Sequence, residues 1–499
     1  MLLNSITSLL LQVTSFICGF ILTKSIIGHF GSQTNGIINS IGQFLGYIVL
    51  LEAGIGGAAR AASYKPLATR DYTELNKIFT VFQSFYRKLV IVFIVYICVL
   101  AFAFPYISNT IDEYWFTVVL VVIIAMSTLA QYAFGVPYQM ILQSDQKNYV
   151  INTIQIVAVV LNFAFSIILI KLGFSIIVAK SVSSLIFILR PFILRHYAKR
   201  QYPLFYDKEV IKQGYKLPQR WNALGQHFAF FIRTNSSIVI ITLFLTLKDV
   251  SIFSVYYVIV KSMPILNSAL SNGLEPFLGS LIAMGDKKLL NKNFVLYSSL
   301  NTFLTALIFS CAAVLIIPFM GIYTSSFIDA NYIIPLLGYF LIMTEAIHCL
   351  NIPYQSLTNA FGHFKQTRFG AYTEALINVA LSIVLVILFK LPGLALGILV
   401  SVVFRNIYNF YYASKKLQII SLRDYLQQII FLTLSAACIV FIGGFIPINA
   451  TSYLEWVFYA IILVIIAFII CSIFFIIFYR KQLFQGLELL KKILKGFKK

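Results

Sequence analysis

The sequence predicts an all-α integral membrane protein of about 14 transmembrane helices, arranged as two duplicated six-helix lobes plus two C-terminal helices. Three observations predict it. Of the 499 residues, 60% are hydrophobic and only 11% charged, with a mean hydropathy of +0.89, whereas soluble chains carry about 25% charged residues. Apolar stretches of about 20 residues, the length that crosses the hydrocarbon core as helix, recur along the whole chain. Segments of the first half also return in the second at a nearly constant offset. This composition disfavours soluble, disordered and nucleic-acid-binding classes. The net charge of +21 reports loop topology first, because cytoplasmic loops of membrane proteins are rich in Lys and Arg.

The spans are expected near residues 5–26, 36–59, 89–106, 115–136, 150–170, 173–190, 222–246, 251–284, 294–319, 332–351, 369–389, 392–412, 425–446 and 455–479. No Lys or Arg precedes the first apolar stretch, MLLNSITSLL, so it reads as a retained span and not a cleaved leader. Connections after the even-numbered spans, with the C-terminal tail, hold 30 Lys or Arg, against Lys24, Lys171, Lys248 and Lys390 on the other side. The positive-inside rule then puts both termini in the cytoplasm. The expected localisation is the bacterial cytoplasmic (inner) membrane.

The repeat is visible in three places. VPYQ at Val136 returns as IPYQ at Ile352, and LNFAFSIILI from Leu161 matches INVALSIVLV from Ile377, both at an offset of 216. DYTELNKIF from Asp71 matches DKKLLNKNF from Asp286 at 215. The expected organisation is an N-lobe over 1–194, a cytoplasmic linker over 195–220, a C-lobe over 221–416, two further spans over 417–479 and a basic amphipathic tail over 480–499. Six spans separate equivalent positions, so the lobes keep one membrane orientation, and the substrate path is expected between them.

Catalytic and cofactor signatures are missing. Six scattered Cys make no C-x-x-C pair, five His make no metal-ligand spacing, and neither a P-loop nor a G-x-S-x-G sequence occurs. No cofactor is expected beyond a coupling H+ or Na+. The informative side chains are ionisable groups inside spans, which cost about 2.5–3.5 kcal/mol at the bilayer centre and must face a partner or a cavity. These are Lys24, Arg60, Lys180, Arg233, Lys261 and Arg405, with Glu52, Glu275, Glu345 and Glu374.

Helical spacing groups several of them with polar neighbours: Asn222, Gln226, Arg233 and Ser237 in span 7; Lys261, Ser268, Asn272 and Glu275 in span 8; Asn35, Asn39, Gly42, Gly46, Ala53, Gly57 and Arg60 in span 2. The expected substrate-binding set is Lys24, Arg60, Arg233, Lys261, Asn222, Gln226 and Asn272. The cations would bind phosphate through charge-assisted hydrogen bonds. The competing reading is a structural ion pair, such as Lys261 with Glu52 or Arg405 with Glu374. Glu52 and Glu275 are the candidates for binding a coupling ion, and Glu345 with His348 is a candidate relay or packing pair.

TKSIIGHFGSQTNGIINS, running into FLGYIVLLEAGIGGAARAA, resembles the start of polysaccharide (O-antigen) flippases of the Wzx type, in the multidrug/oligosaccharidyl-lipid/polysaccharide exporter superfamily. The resemblance rests on Lys24, Glu52, Gly54 and Arg60, on PYQ after spans 4 and 10, and on the span count; Lys24 stands where Arg is usual. It implies a flippase moving undecaprenyl-diphosphate-linked oligosaccharide, for O-antigen, capsule or a related glycan, from the cytoplasmic to the periplasmic leaflet by alternating access. Its partners would be that lipid, the bilayer and other polysaccharide-assembly proteins. The alternatives are a lipid II flippase of peptidoglycan synthesis, a cation-coupled multidrug exporter, and a membrane O-antigen polymerase or ligase, which the short outward loops disfavour.

Overall fold

The computed structural model describes residues 2–52, 55–212, 224–445 and 451–496, without the side chains of residues 2, 212, 224–230, 272, 273, 364 and 486–496. All regular structure among them is helical. The chain falls into two compact units, Met1–Ser254 and Val255–Lys499. The first holds α1 (Leu2–Gly46), α2 (Val49–Glu52), α3 (Ile55–Thr69), α4 (Tyr72–Ile107), α5 (Tyr114–Ala130), α6 (Val136–Ser144), α7 (Asn148–Lys171), α8 (Ile176–Gln201), α9 (Lys208–Lys212), α10 (Leu224–Phe244) and the first half of α11 (Leu247–Ser262). The second holds the rest of α11, α12 (Ile265–Met284), α13 (Lys287–Tyr323), α14 (Pro335–Ala360), α15 (Phe364–Tyr411), α16 (Leu422–Gly444) and α17 (Tyr453–Gly496).

Eleven helical stretches among the described residues are long and apolar enough to cross a membrane. Two of them, Leu3–Glu52 and Lys365–Lys416, have 50 and 52 residues, so each would run about 75 Å if straight, against a hydrocarbon core of about 30 Å. Each is broken by a residue with positive φ, Gly31 at 81° and Lys390 at 54°. Counted as two crossings each, and with the shorter apolar helix Phe231–Phe244, they restore the fourteen expected spans.

The fold-back at Lys390 is written in the contacts of α15. Glu374 meets Arg405 at 3.7 Å and Asn378 Nδ2 donates to Ser401 Oγ at 3.2 Å. A Cβ on Gly397 would lie 2.7 Å from the Ser382 amide nitrogen. These pairs step inward toward Lys390, as the antiparallel legs of a hairpin must. Glycine at 397 lets the two backbones approach closely, the usual device where packing replaces the hydrophobic effect.

Each unit carries the repeat. Asp71 and Asp286, 215 residues apart, both cap the next helix by accepting an amide N–H three residues on, from Glu74 and Leu289. The residues before them, Arg70 and Gly285, both have positive φ, as do Gln146 and Gly362 216 residues apart. Phe79 packs on Tyr138 at 5.2 Å in one unit, and Phe294 on Tyr354 at 5.8 Å in the other. The two PYQ tyrosines are therefore core anchors, each buried in its own cluster.

Spans 2 and 8, expected as single helices, are broken. Span 2 is interrupted at Tyr47–Ile48, and span 8 at Met263–Pro264, where proline removes a donor and opens the i−4 ladder. The polar residues grouped along those spans therefore do not share one straight face. Span 4 continues to Ser144 through a π-turn at Gln131–Gly135. α17 runs from Tyr453 to Gly496 with a kink at Tyr479.

The described part of the 195–220 segment is pinned to the first unit. Lys147 Nζ lies 2.9 Å from Asp145 and donates to Tyr202 Oη at 3.0 Å, while Tyr202 donates to Asp145. Burial alone would lower the lysine, yet these bonds to Tyr202 and Asp145 hold it above its ordinary pKa.

Candidate functional site

The first unit places one acid in a cage of phenols. Glu52, on α2, accepts a hydrogen bond from Tyr86 of α4 on Oε1 and one from Tyr132 of the π-turn on Oε2, the latter at 3.2 Å. The two rings stack on one another with centroids 5.9 Å apart, and Phe93 closes on Tyr132 edge-on at 5.7 Å. A buried phenol must find an acceptor, and a carboxylate is the strongest one nearby. The π-turn adds a residue to the helical repeat and so re-aims Tyr132, a distortion often found at functional sites. Arg60, eight residues beyond Glu52, is exposed and donates from Nη1 to Gln143 Oε1 at 2.8 Å.

Lys24 lies in α1 seven residues before the Gly31 break, and Arg233 in α10; both are half-buried. Asn35 and Ser40, polar residues of span 2, take packing roles. Asn35 Nδ2 donates to Ser251 Oγ at 2.8 Å, and Ser40 shares a 2.7 Å bond with Thr242. Gly36 lets the Leu247 carbonyl come so close that a Cβ would sit 1.9 Å from its oxygen.

In the second unit Lys261, at the end of α11, meets Glu345 of α14 at 3.1 Å, and its ammonium lies 5.4 Å from the Tyr257 ring. The lysine side chain stays 36% exposed while the glutamate is 8% exposed. The suggested Lys261–Glu52 pairing is thus replaced by Lys261–Glu345, because the break at Pro264 ends α11 beside α14. The suggested Arg405–Glu374 pair is present and closes the α15 hairpin. Glu275 is half-buried in α12. Asn222 lies outside the described residues, as does Gly54; Gln226 and Asn272 fall within α10 and α12 at positions whose side chains are not described.

The residues missed in the sequence are Tyr86, Tyr132 and Gln143. Their signal was the rule that Tyr and Gln buried in apolar helices need partners, applied to the one acid of span 2.

No protein-family model matches the chain, and no curated protein matches it by sequence. Solved structures do share its fold. A structure described as the lipid II flippase MurJ in an inward closed conformation superposes with a TM-score of 0.72 at 14% identity, covering 97% of this chain and 100% of that one. An inward-facing multidrug resistance MATE family transporter of the MOP superfamily superposes with a TM-score of 0.58 at 14% identity, covering 80% and 94%. The chain has the all-helical, multi-pass fold of these membrane proteins.

Proposed function

We propose that this chain is a flippase that carries undecaprenyl-diphosphate-linked oligosaccharide from the cytoplasmic to the periplasmic leaflet by alternating access, and that it is a transporter and not an enzyme. Lys24, Arg60, Arg233 and Lys261 receive the diphosphate. The observation that carries this reading is the sign of the charge inside the spans. In the first unit Lys24 and Lys180, inside candidate spans, and Arg233, inside the shorter apolar helix Phe231–Phe244, are set against the one acid Glu52 among the intramembrane groups named from the sequence. Such an excess is costly in lipid unless an anion joins it, and it repels the cationic cargo of a drug exporter. Glu345 orients Lys261, and a diphosphate with several anionic oxygens outcompetes one carboxylate for that ammonium.

Glu52 and Glu275 are the coupling groups of this reading, binding H+ or Na+. The shared fold with the MurJ structure favours a second cargo, lipid II. Deleting the chain from its host separates the two: loss of surface glycan with normal growth supports the oligosaccharide, and arrested wall synthesis supports lipid II. Restoring the chain as Arg233→Ala or Lys261→Ala is expected to insert normally and to leave glycan export abolished. Wild-type glycan from both variants would remove them from the path.

A further inference from the structure

Between α12, α13 and α14 the second unit holds a knot of hydroxyls beside an acid. Ser271 of α12 and Ser356 of α14 share a 2.7 Å hydrogen bond. The Tyr297 hydroxyl of α13 lies against both serines without bonding either, and within electrostatic reach of Glu275. Tyr297 is only 2% exposed. Glu275 stands one turn beyond Ser271, on the same face of α12.

The fold itself does not require these groups. At the repeat offsets of 215 and 216 the first unit has Gly56, Phe82 and Met140 for Ser271, Tyr297 and Ser356, and Arg60 for Glu275. Phe82 and Met140 are as fully buried as their counterparts, so helices of this arrangement pack there with no hydroxyl at all. A buried hydroxyl is costly unless it finds a partner, and Tyr297 carries one where the other unit has a plain ring. Three O–H groups meet here: one serves the Ser271–Ser356 bond, which leaves the other serine and Tyr297 with protons to give. A carboxylate or a water accepts those protons, whereas a sodium ion takes only lone pairs and answers neither.

We propose that Ser271, Tyr297 and Ser356 hold a water against Glu275 and make a proton-binding site selective for H+ over Na+. This names the ion of the coupling role given to Glu275 above and rests on that reading. Tyr297, the serine pair and Glu275 supply the roughly 2–4 partners that a buried water needs. A proton arriving at the serines moves in one concerted shift, each oxygen accepting a proton as it donates its own, so Glu275 ends neutral and the hydroxyls unchanged. Glu275 is the one charged residue of α12. On the helices packed against it the other titratable groups are engaged or distant. The Tyr354 hydroxyl donates to Gln428 Oε1 at 2.7 Å. Glu345 is held by Lys261, with His348 and Cys349 on the following turn, about 16 Å along α14 from Ser356. Asp286, Lys287, Lys288 and Lys292 are exposed at the start of α13.

The test is an infrared pH titration of the full chain in nanodiscs, without lipid cargo, with Glu275→Gln used to assign the carboxyl signal. A carboxyl band is expected to grow on acidification in the wild type and to be missing from Glu275→Gln. Tyr297→Phe, which reproduces Phe82 of the first unit and so is expected to fold, should raise the midpoint by about one pH unit, because a donor to the carboxylate favours its charged form. Exchanging K+ for Na+ should leave the midpoint in place. A signal untouched by Glu275→Gln, a midpoint unmoved in Tyr297→Phe, or a midpoint lowered by Na+ would overturn the proposal. Glycan export is read separately, by the complementation above, so a failed titration with intact export rejects this site alone, and lost export with an intact titration does not touch it.

Discussion

The two halves build the same three-way junction from different chemistry. In the first unit Glu52 joins α2 to Tyr86 of α4 and to Tyr132 of the π-turn. In the second unit the residues 215 positions on are Asn267 and Asn301. Asn267 Nδ2 donates to Asn301 Oδ1 at 3.0 Å and to Thr305 Oγ1 at 2.9 Å, and Asn301 Nδ2 donates to the Cys349 carbonyl of α14 at 2.8 Å. The second junction is fully buried, neutral and set against an uninterrupted α14. The first is half-exposed at its acid and faces a π-turn. Amides alone therefore suffice to tie these helices together, and a carboxylate, which is costlier to place in a membrane, adds something that tying does not require. The ability to gain or lose a proton, or to hold a cation, is what distinguishes it.

The largest effect is expected where that distinction is removed. Glu52→Gln keeps a carbonyl acceptor for one phenol and offers the other an N–H to accept, and should leave protein levels near wild type while lowering glycan export at least about tenfold, a change of about 1.4 kcal/mol in barrier. Full export in complementation would make the two junctions equivalent and the carboxylate structural. Asn267→Ala probes the neutral side. It strands buried Asn301 and Thr305 groups and should cost about 1–3 kcal/mol of stability, seen as a lower melting temperature in detergent, with export falling only as far as protein abundance does. A catalytic-scale loss of export at normal abundance would contradict the purely structural role of that junction. The smallest change belongs to Tyr132→Phe, which removes one phenol donor, worth about 0.5–1.5 kcal/mol, and should reduce export a few-fold while Tyr86 still holds the acid. An unchanged rate would place Tyr132 outside the coupling site.

Much of the architecture was legible in the sequence because hydropathy and repetition are properties of the chain itself. The helix break at Gly31, the hairpin turn at Lys390 and the Asp71 and Asp286 caps fall at the punctuation the sequence displays. The breaks at Tyr47–Ile48 and Met263–Pro264 were not read, because a single proline or turn inside an apolar run leaves the hydropathy of a span intact. The site was less legible for a related reason. Tyr86 and Tyr132 count as apolar in a hydropathy scan, and only the fold brings them, 34 and 80 residues away, onto Glu52. Lys261 takes Glu345, 84 residues on, a partner no helical spacing could name. Arg405 with Glu374 was foreseeable, since both sit in one hairpin about its turn.

The central claim is that cations inside the spans receive a diphosphate-linked glycan lipid. Its most direct test is a proteoliposome assay in which undecaprenyl-diphosphate oligosaccharide starts on one leaflet and a lectin reports its arrival on the other. The wild-type chain is expected to deliver the lipid to the lectin, and Arg233→Ala, reconstituted in equal amount, is expected to deliver none above empty vesicles. Equal delivery by both proteins, or none by the wild type, would contradict the account.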